Sequence, residues 1–404
     1  MIALRFNMTL PQAAALKAIG NTRPSLFFDS PLATVRLAEV PEPALPGRDW
    51  VKIKTVACGF CGSDLNLIFL RESVTASPFS SFPCIMGHEM CGVVAETGQD
   101  VKNVEVGDFV TVAPPMDCAV RGIDPVCRAC AGGRVANCEN FARGRFAPGM
   151  FIGLCKDLPG GFAPVFTAHQ SQVFRLPKGT SPETGAMIEP FCVGLATILD
   201  NPPEEGEKVL VVGGGVIGNM LVRAIRALGV GCEITVVEPS PFHGQIAKKS
   251  GADRVIQGDI IKSAPAITGG VSYKPIFGKN ILMGGFDRIY DSVGSAPTIN
   301  ACLRVLAAGG VLSVVGISEN VKLDLTPLWL KNQTMKGTLA YGYKIKGGKK
   351  VHVYETALTL LEKGRVVLAD LVTHRFHLAD YRQMIRVNMK KAANQAVKTI
   401  VVFP

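Results

Sequence analysis

The chain has 404 residues, 48% of them hydrophobic, with 43 glycines and a formal net charge of +10, which suits a soluble α/β enzyme with two cores. No apolar run reaches membrane-spanning length without a charge, and the basic residues are dispersed with no aromatic-interleaved nucleic-acid motif, so neither a membrane nor nucleic acid is expected as a partner. The 12 cysteines are too clustered and the chain too large for a disulfide framework.

The N-terminus carries Arg5 and Lys17 in a mildly amphipathic stretch with no signal-peptide pattern, so a cytoplasmic location is expected. Residues 1–30 say little beyond a short helix at 10–19, ended by Pro24. Residues 34–55 alternate apolar and polar around Pro41, Pro43 and Pro46, predicting two strands about a loop. They lead to Cys61, set between Gly59 and Gly62 and followed by Ser63 and Asp64. A second signal is Gly87-His88-Glu89. Each donor has a glycine beside it that lets backbone come close, and a carboxylate after it that can orient a metal ligand.

A third signal is Cys127, Cys130 and Cys138 on a loop rich in Gly, Pro and Arg, a spacing that suits a closed tetrahedral zinc site. The fourth ligand is open: Cys118 lies upstream, and Asp124 is nearer but a harder donor. Cys84, Cys232 and Cys302 read as packing. Residues 160–163 and the apolar run to Leu176 are expected to be the last strands of the first unit. Ser181 then caps a helix that has Pro182 at its first position. Within it Glu189, before Pro190, is a carboxylate in apolar company, either a salt-bridge partner or a metal ligand.

Residues 208–212 predict a buried parallel strand, followed by Gly213, Gly215 and Gly218 in the pattern G-x-G-x-x-G and by a helical run at 220–228. A tight turn and a helix N-terminus offer unpaired N–H groups to a pyrophosphate. A second strand, 234–237, ends on Glu238, placed to accept both ribose hydroxyls of NAD and to repel a 2′-phosphate. His243, Lys248 and Lys249 just beyond are placed to meet a phosphate, so NADP stays possible. Strands at 254–256, 286–290 and 310–315, with glycine turns at Val293-Gly294-Ser295 and Gly316-Ile317-Ser318, predict a doubly wound parallel sheet of Rossmann type. Residues 259–285 read as a loop, 344–350 as a basic stretch, 354–361 as an amphipathic helix, and 371–376 and 397–403 as closing strands.

Gly59-Phe60-Cys61-Gly62-Ser63-Asp64, Gly87-His88-Glu89, Val106-Gly107-Asp108, the cysteine run, Glu189-Pro190 and the glycine fingerprint stand in the order found in zinc-containing medium-chain alcohol and polyol dehydrogenases, which the chain resembles from about residue 34 onward. The resemblance implies a mainly-β, GroES-like catalytic domain from residues 1–190 and 340–404, and a Rossmann domain from 191–339. It implies catalytic zinc on Cys61, His88 and Glu189, with Glu89 as a neighbouring carboxylate that can join the metal, and structural zinc on Cys118, Cys127, Cys130 and Cys138. Asp64 would orient the histidine and Ser63 would take the alcohol's proton. Asn66 stands where many relatives have a relay histidine. Around the cofactor the resemblance places Val193, Gly294 and Ile317, and Val216, Ile217, Val293, Gly316 and His243 are further cofactor-binding candidates.

The implied activity is hydride transfer between a secondary alcohol or polyol, or the matching ketone, and NAD, by a homodimer or homotetramer. The Glu189-Pro190 variant favours polyols, and Arg143 and Arg145 are read as surface groups before an anion site. The alternatives are an NADP-dependent ketone reductase, a metal-dependent lyase or epimerase using bound NAD, and a non-catalytic nucleotide-binding scaffold. Eight residues separate Cys118 from Cys127 where the family has two. Residues 1–30 and 259–285 have no clear counterpart.

Overall fold

A computed structural model describes residues 1–20, 22–316 and 320–404. The chain forms two compact units, one from Met1–Glu189 with Gly342–Pro404 and the other from Pro190–Tyr341. The first begins with β1 (Ile2–Phe6), α1 (Leu10–Ile19), β2 (Val35–Glu39), β3 (Trp50–Phe60), α2 (Gly62–Ile68), β4 (Cys84–Ile85), β5 (Glu89–Thr97), β6 (Phe109–Val112), α3 (Arg128–Ala131), β7 (Val165–His169) and β8 (Val173–Arg175), and the helix α4 (Pro182–Asp200) spans the boundary after Glu189. The second contains β9 (Lys208–Val212), α5 (Val216–Leu228), β10 (Glu233–Val237), α6 (Pro241–Lys249), β11 (Arg254–Ile256), α7 (Ile260–Thr268), β12 (Val271–Tyr273), β13 (Ile281–Met283), β14 (Phe286–Asp291), α8 (Ala296–Val305), β15 (Leu306–Val314), α9 (Thr326–Leu330) and β16 (Thr334–Gly337). The chain then adds β17 (Tyr343–Lys346), β18 (Lys349–His352), α10 (Val353–Glu362), β19 (Val372–Phe376), α11 (Tyr381–Met389) and β20 (Lys398–Val402) to the first unit.

The first unit is mainly β. Its seven-stranded sheet runs β19-β20-β3-β5-β6-β8, with β7 also paired to β3. Trp50, Ile53 and Phe60 of β3 are buried in one apolar cluster with Met90, Phe162 and Phe166. In the second unit the order β11-β10-β9-β14-β15-β16 is all parallel, the 3-2-1-4-5-6 order of a Rossmann sheet. Its strands are near-continuous apolar runs, as two-sided burial requires.

Four readings of the sequence change. Residues 259–285 are ordered structure: Asp259 caps α7 by accepting from Ile261 N at 2.9 Å, Ile260, Ile261 and Ala264 are buried, and β12 and β13 form an antiparallel hairpin. Pro265 and paired glycines disguised this. Residues 160–163 are irregular, because Gly160, Gly161 and Phe162 donate to Ile85 O, Gly87 O and Met86 O (2.8–3.0 Å) and no strand begins before Val165. β15 starts at Leu306, four residues earlier than expected, and a register irregularity opposite β14 accommodates Gly309 and Gly310. The basic stretch is the hairpin β17–β18, turning through Gly347 and Gly348, both at positive φ. Residues 1–30, which had offered only a short helix, also supply β1, paired with β2 over five residues.

His352 caps α10, its Nδ1 accepting from Tyr354 N at 3.2 Å, and its ring stacks on Phe174 at 4.9 Å. Burial pulls its pKa from 6.5 to about 4. The folded state therefore binds fewer protons here than the unfolded state, so this site's contribution is intact above pH 6.5 and is lost as pH falls towards 4. His352→Asn keeps a capping oxygen without the titration. Unfolding curves across that interval should show wild type losing stability relative to the variant, and a constant gap would exclude the effect.

Candidate active site

The pairing of β3 with β5 sets Gly59 opposite Glu89, so Cys61 just past one strand and His88 just before the other meet. The donor atoms of Cys61, His88 and Glu89 lie within 4.8 Å of one another. Asp64, in the first turn of α2, accepts from Cys61 N at 2.8 Å and reaches His88 Nδ1 at 3.7 Å, bracing both donors. Burial alone would pull His88 down, but the negative charge of Asp64, Cys61 and Glu189 outweighs it and raises its pKa well above 6.5. The field that favours a proton there also favours a divalent cation, and a thiol, an imidazole and a carboxylate are a donor set suited to zinc.

Glu189 is buried in α4 and acts on His88 and Lys398 through its charge, but it is not in the tight three-donor cluster. The nearer carboxylate, Glu89, forms an ion pair with Lys398, and both side chains are 2% exposed. Gly59 makes room for this pair: a Cβ there would lie 1.9 Å from Glu89 Oε2 and 2.8 Å from Lys398 Cε. Ser63 and Asn66 stand half-buried on α2. Lys398 was missed in the sequence, where its signal was a lone charge opening the apolar run of a closing strand. Lys391 was missed too, and burial together with the charge of Lys398 lowers it to about 8.

The second cluster joins Cys118, Cys127, Cys130 and Cys138, whose sulfurs lie within 4.8 Å of one another. Asp124 is outside it. Backbone N–H groups of Cys127, Cys130, Glu139 and Asn140 point at the sulfurs (3.3–3.5 Å), and Asn140 Nδ2 donates to Cys118 Sγ at 3.4 Å. Burial pushes Cys127 up, but the N–H groups of Cys130 and Glu139 bring it down to about 7. Four converging sulfurs with such donors fit a closed tetrahedral zinc site.

In the second unit Gly213, at φ 95°, directly follows β9, and α5 begins after Gly215. A Cβ on Gly218 would meet Gly213 O at 1.8 Å, so the helix can start this close to the strand only with glycine. Val216 and Ile217 open the helix, half-buried. Glu238, at the tip of β10, accepts from Gly214 N and from Ser240 N, each at 2.8 Å. Asp291 Oδ1 accepts from Val293 N (2.9 Å) and Gly294 N (3.0 Å), and Gly294, at φ 72°, packs on Gly316. His243 is buried in α6 and Val193 is half-buried in α4. Ile317 and Ser318 lie outside the described residues.

Comparison with known proteins adds to this geometry. Residues 47–178 match the alcohol dehydrogenase GroES-like domain and residues 216–363 the zinc-binding dehydrogenase family. The chain is 30% identical over 356 residues to L-threonine 3-dehydrogenase of Pyrococcus abyssi, covering 87% of this chain and 91% of that protein. It is 26% identical over 399 residues to sorbitol dehydrogenase of Bacillus subtilis, covering 98% and 99%. The crystal structure of 2R,3R-butanediol dehydrogenase from Bacillus subtilis is similar with a TM-score of 0.71 and 25% identity, over 92% of this chain and 96% of that one.

Lys398→Met should cost about 3–5 kcal/mol by leaving Glu89 buried without its counter-charge. Glu89→Gln added to it should recover part of that loss. Denaturant midpoints check both, and additive losses would show that the two side chains do not act as a pair.

Proposed function

Because the chain belongs to the zinc-containing medium-chain dehydrogenases, we propose that it transfers hydride between NAD and a secondary alcohol or polyol, or the matching ketone. The observation that carries this reading is the convergence of Cys61, His88 and Glu89 in a buried, negatively charged cluster braced by Asp64. Cys61 and His88 would hold the catalytic zinc with a carboxylate, for which Glu189 is our assignment and Glu89 the nearer neighbour. Cys118, Cys127, Cys130 and Cys138 would hold the structural one. Bound zinc supplies Lewis acidity that lets an alcohol hydroxyl lose its proton near neutrality.

The chain's own groups do the rest. Ser63 Oγ takes the alcohol's proton and passes it on, and Asn66 cannot itself take up a proton near neutral pH, so either water or another group finishes the relay or turnover depends more steeply on pH. Asp64 fixes the orientation of His88. Lys398 pairs with Glu89 beside the metal donors, so the site has a second carboxylate next to Cys61 and His88. At the other reactant, the N–H groups at the start of α5 take the cofactor's pyrophosphate, and Glu238 is set to accept the ribose hydroxyls once its bond to Gly214 is exchanged. Its negative charge supports NAD over NADP.

Polyols are favoured because the chain matches sorbitol dehydrogenase over nearly its full length. A second copy is the proposed partner: β16 is a sheet edge, and Trp329, Leu330, Met335 and Leu339 are exposed beside it. Among the described residues no helix is long and apolar enough to cross a membrane. We place the protein in the cytoplasm.

Zinc-loaded protein with NAD and a panel of polyols should give net growth of reduced-cofactor absorbance. Turnover without that growth would favour a lyase or epimerase. Cys61→Ser should lose the catalytic metal and activity while retaining the metal of the four-cysteine site, and metal analysis finding both ions in the variant would refute the ligand role. Glu238→Ala should raise KM for NAD by about tenfold or more, with a smaller change for NADP. An unchanged ratio would remove Glu238 from the ribose.

A further inference from the structure

The hairpin β12–β13 is absorbed by none of the chemistry above. Its register pairs Val271 with Met283, Ser272 with Leu282 and Tyr273 with Ile281. Alternation then gives the hairpin two faces. Leu282 enters the core of the second unit, whereas Val271, Tyr273 and Met283 are left exposed. At the tip Ile276 and Phe277 are 91% and 90% exposed, more than any other large apolar side chain among the described residues.

Charge frames this apolar tip. Residues 269–285 contain Lys274 and Lys279 and no acidic residue. Beside them an open hollow of about 380 Å³ is lined by Lys262, Lys279, Ser272 and Asn280, with Asp259 engaged in capping α7. Among the described residues no acidic side chain forms an ion pair with any of the three lysines. An aliphatic and an aromatic side chain on an exposed tip, flanked in sequence by Lys274 and Lys279 with Lys262 at the adjoining hollow, complement one kind of surface best: an apolar layer beneath negative phosphates.

We propose that this hairpin is a peripheral membrane contact, with Ile276 and Phe277 entering the interfacial layer of an anionic phospholipid bilayer while Lys262, Lys274 and Lys279 meet its phosphates. This departs from the sequence-based expectation of no membrane partner. A second copy suits the tip less well, since a stable protein interface takes about 20–30 residues a side and two lysine-flanked tips repel each other. Direction also matters. The hairpin leads into Phe286 at the start of β14, which runs parallel to β9, whereas Gly213 follows the end of β9. Docking at the strand-start end leaves the nucleotide turn, at the strand-finish end, clear of the bilayer.

The test is flotation of the full-length, zinc-loaded protein with phosphatidylcholine vesicles, with and without phosphatidylglycerol. The protein should float with the anionic vesicles and not with the neutral ones. Ile276→Ser with Phe277→Ser should lower the partition coefficient by about tenfold or more. Lys274→Gln with Lys279→Gln should weaken binding and flatten its dependence on salt. All four positions are exposed, so melting temperature and NAD binding should stay at wild-type values. Failure to float with anionic vesicles, or full retention of binding by the tip variant, overturns the proposal. So does sedimentation showing that wild type self-associates through the tip and the variant does not. None of these readouts depends on dehydrogenase activity, so they stand apart from the reaction proposed above.

Discussion

One buried ion pair sets the terms for the catalytic unit. Lys398 and Glu89 lie where an unpaired charge would be costly, and each is tolerable only because the other is present. Their meeting constrains the backbone: Gly59 must lack a side chain, and β20 must pair with β3 so that Lys398 reaches this depth. The same β3 that leaves room for the pair delivers Cys61, and the same β5 that starts with Glu89 follows directly on His88. Metal donors and counter-charge are thus products of a single stretch of sheet. The negative charge that gathers at Cys61, Glu89 and Glu189 acts on Lys398, and that of Cys61 and Glu89 on Lys391 as well, while the donor set itself suits a divalent cation.

Much of this was legible from residue order, for physical reasons that differ by site. The glycine turn announces itself because strand, glycines, helix and acid are contiguous, and close approach forbids any other residue at Gly218. The cysteine lobe is legible from spacing, though whether Cys118 or Asp124 joins it depended on a loop path that spacing does not encode. Cys61 and His88 could be paired only by resemblance, since their meeting rests on the register of β3 and β5. Lys398 was hidden because it stands in a strand read only as closing the chain, and its partner is remote in sequence. The hairpin was hidden for a different reason: prolines and paired glycines look like loop until Leu282 is seen entering the core.

The two units also differ in how they handle negative charge. In the first, carboxylates are buried and answered by Lys398. In the second, Glu238 and Asp291 are answered by backbone N–H groups at the tips of β10 and β14. Backbone dipoles are fixed in place, so these carboxylates shape the turns around them as much as they await a ligand. Glu238 in particular does both: it ties Gly214 in place and carries the charge that would discriminate between cofactors.

The route of the chain through the first unit has a consequence for timing during synthesis. The Rossmann unit is one uninterrupted segment and can close as soon as it has left the ribosome. The other unit is split, and β20, the strand that joins β19 to β3, follows every other strand of its sheet along the chain. Until β20 arrives, Glu89 has no cation to meet and the flank of β3 is unzipped. For that interval the nascent chain carries a nucleotide fold able to close and a metal centre still lacking its counter-charge.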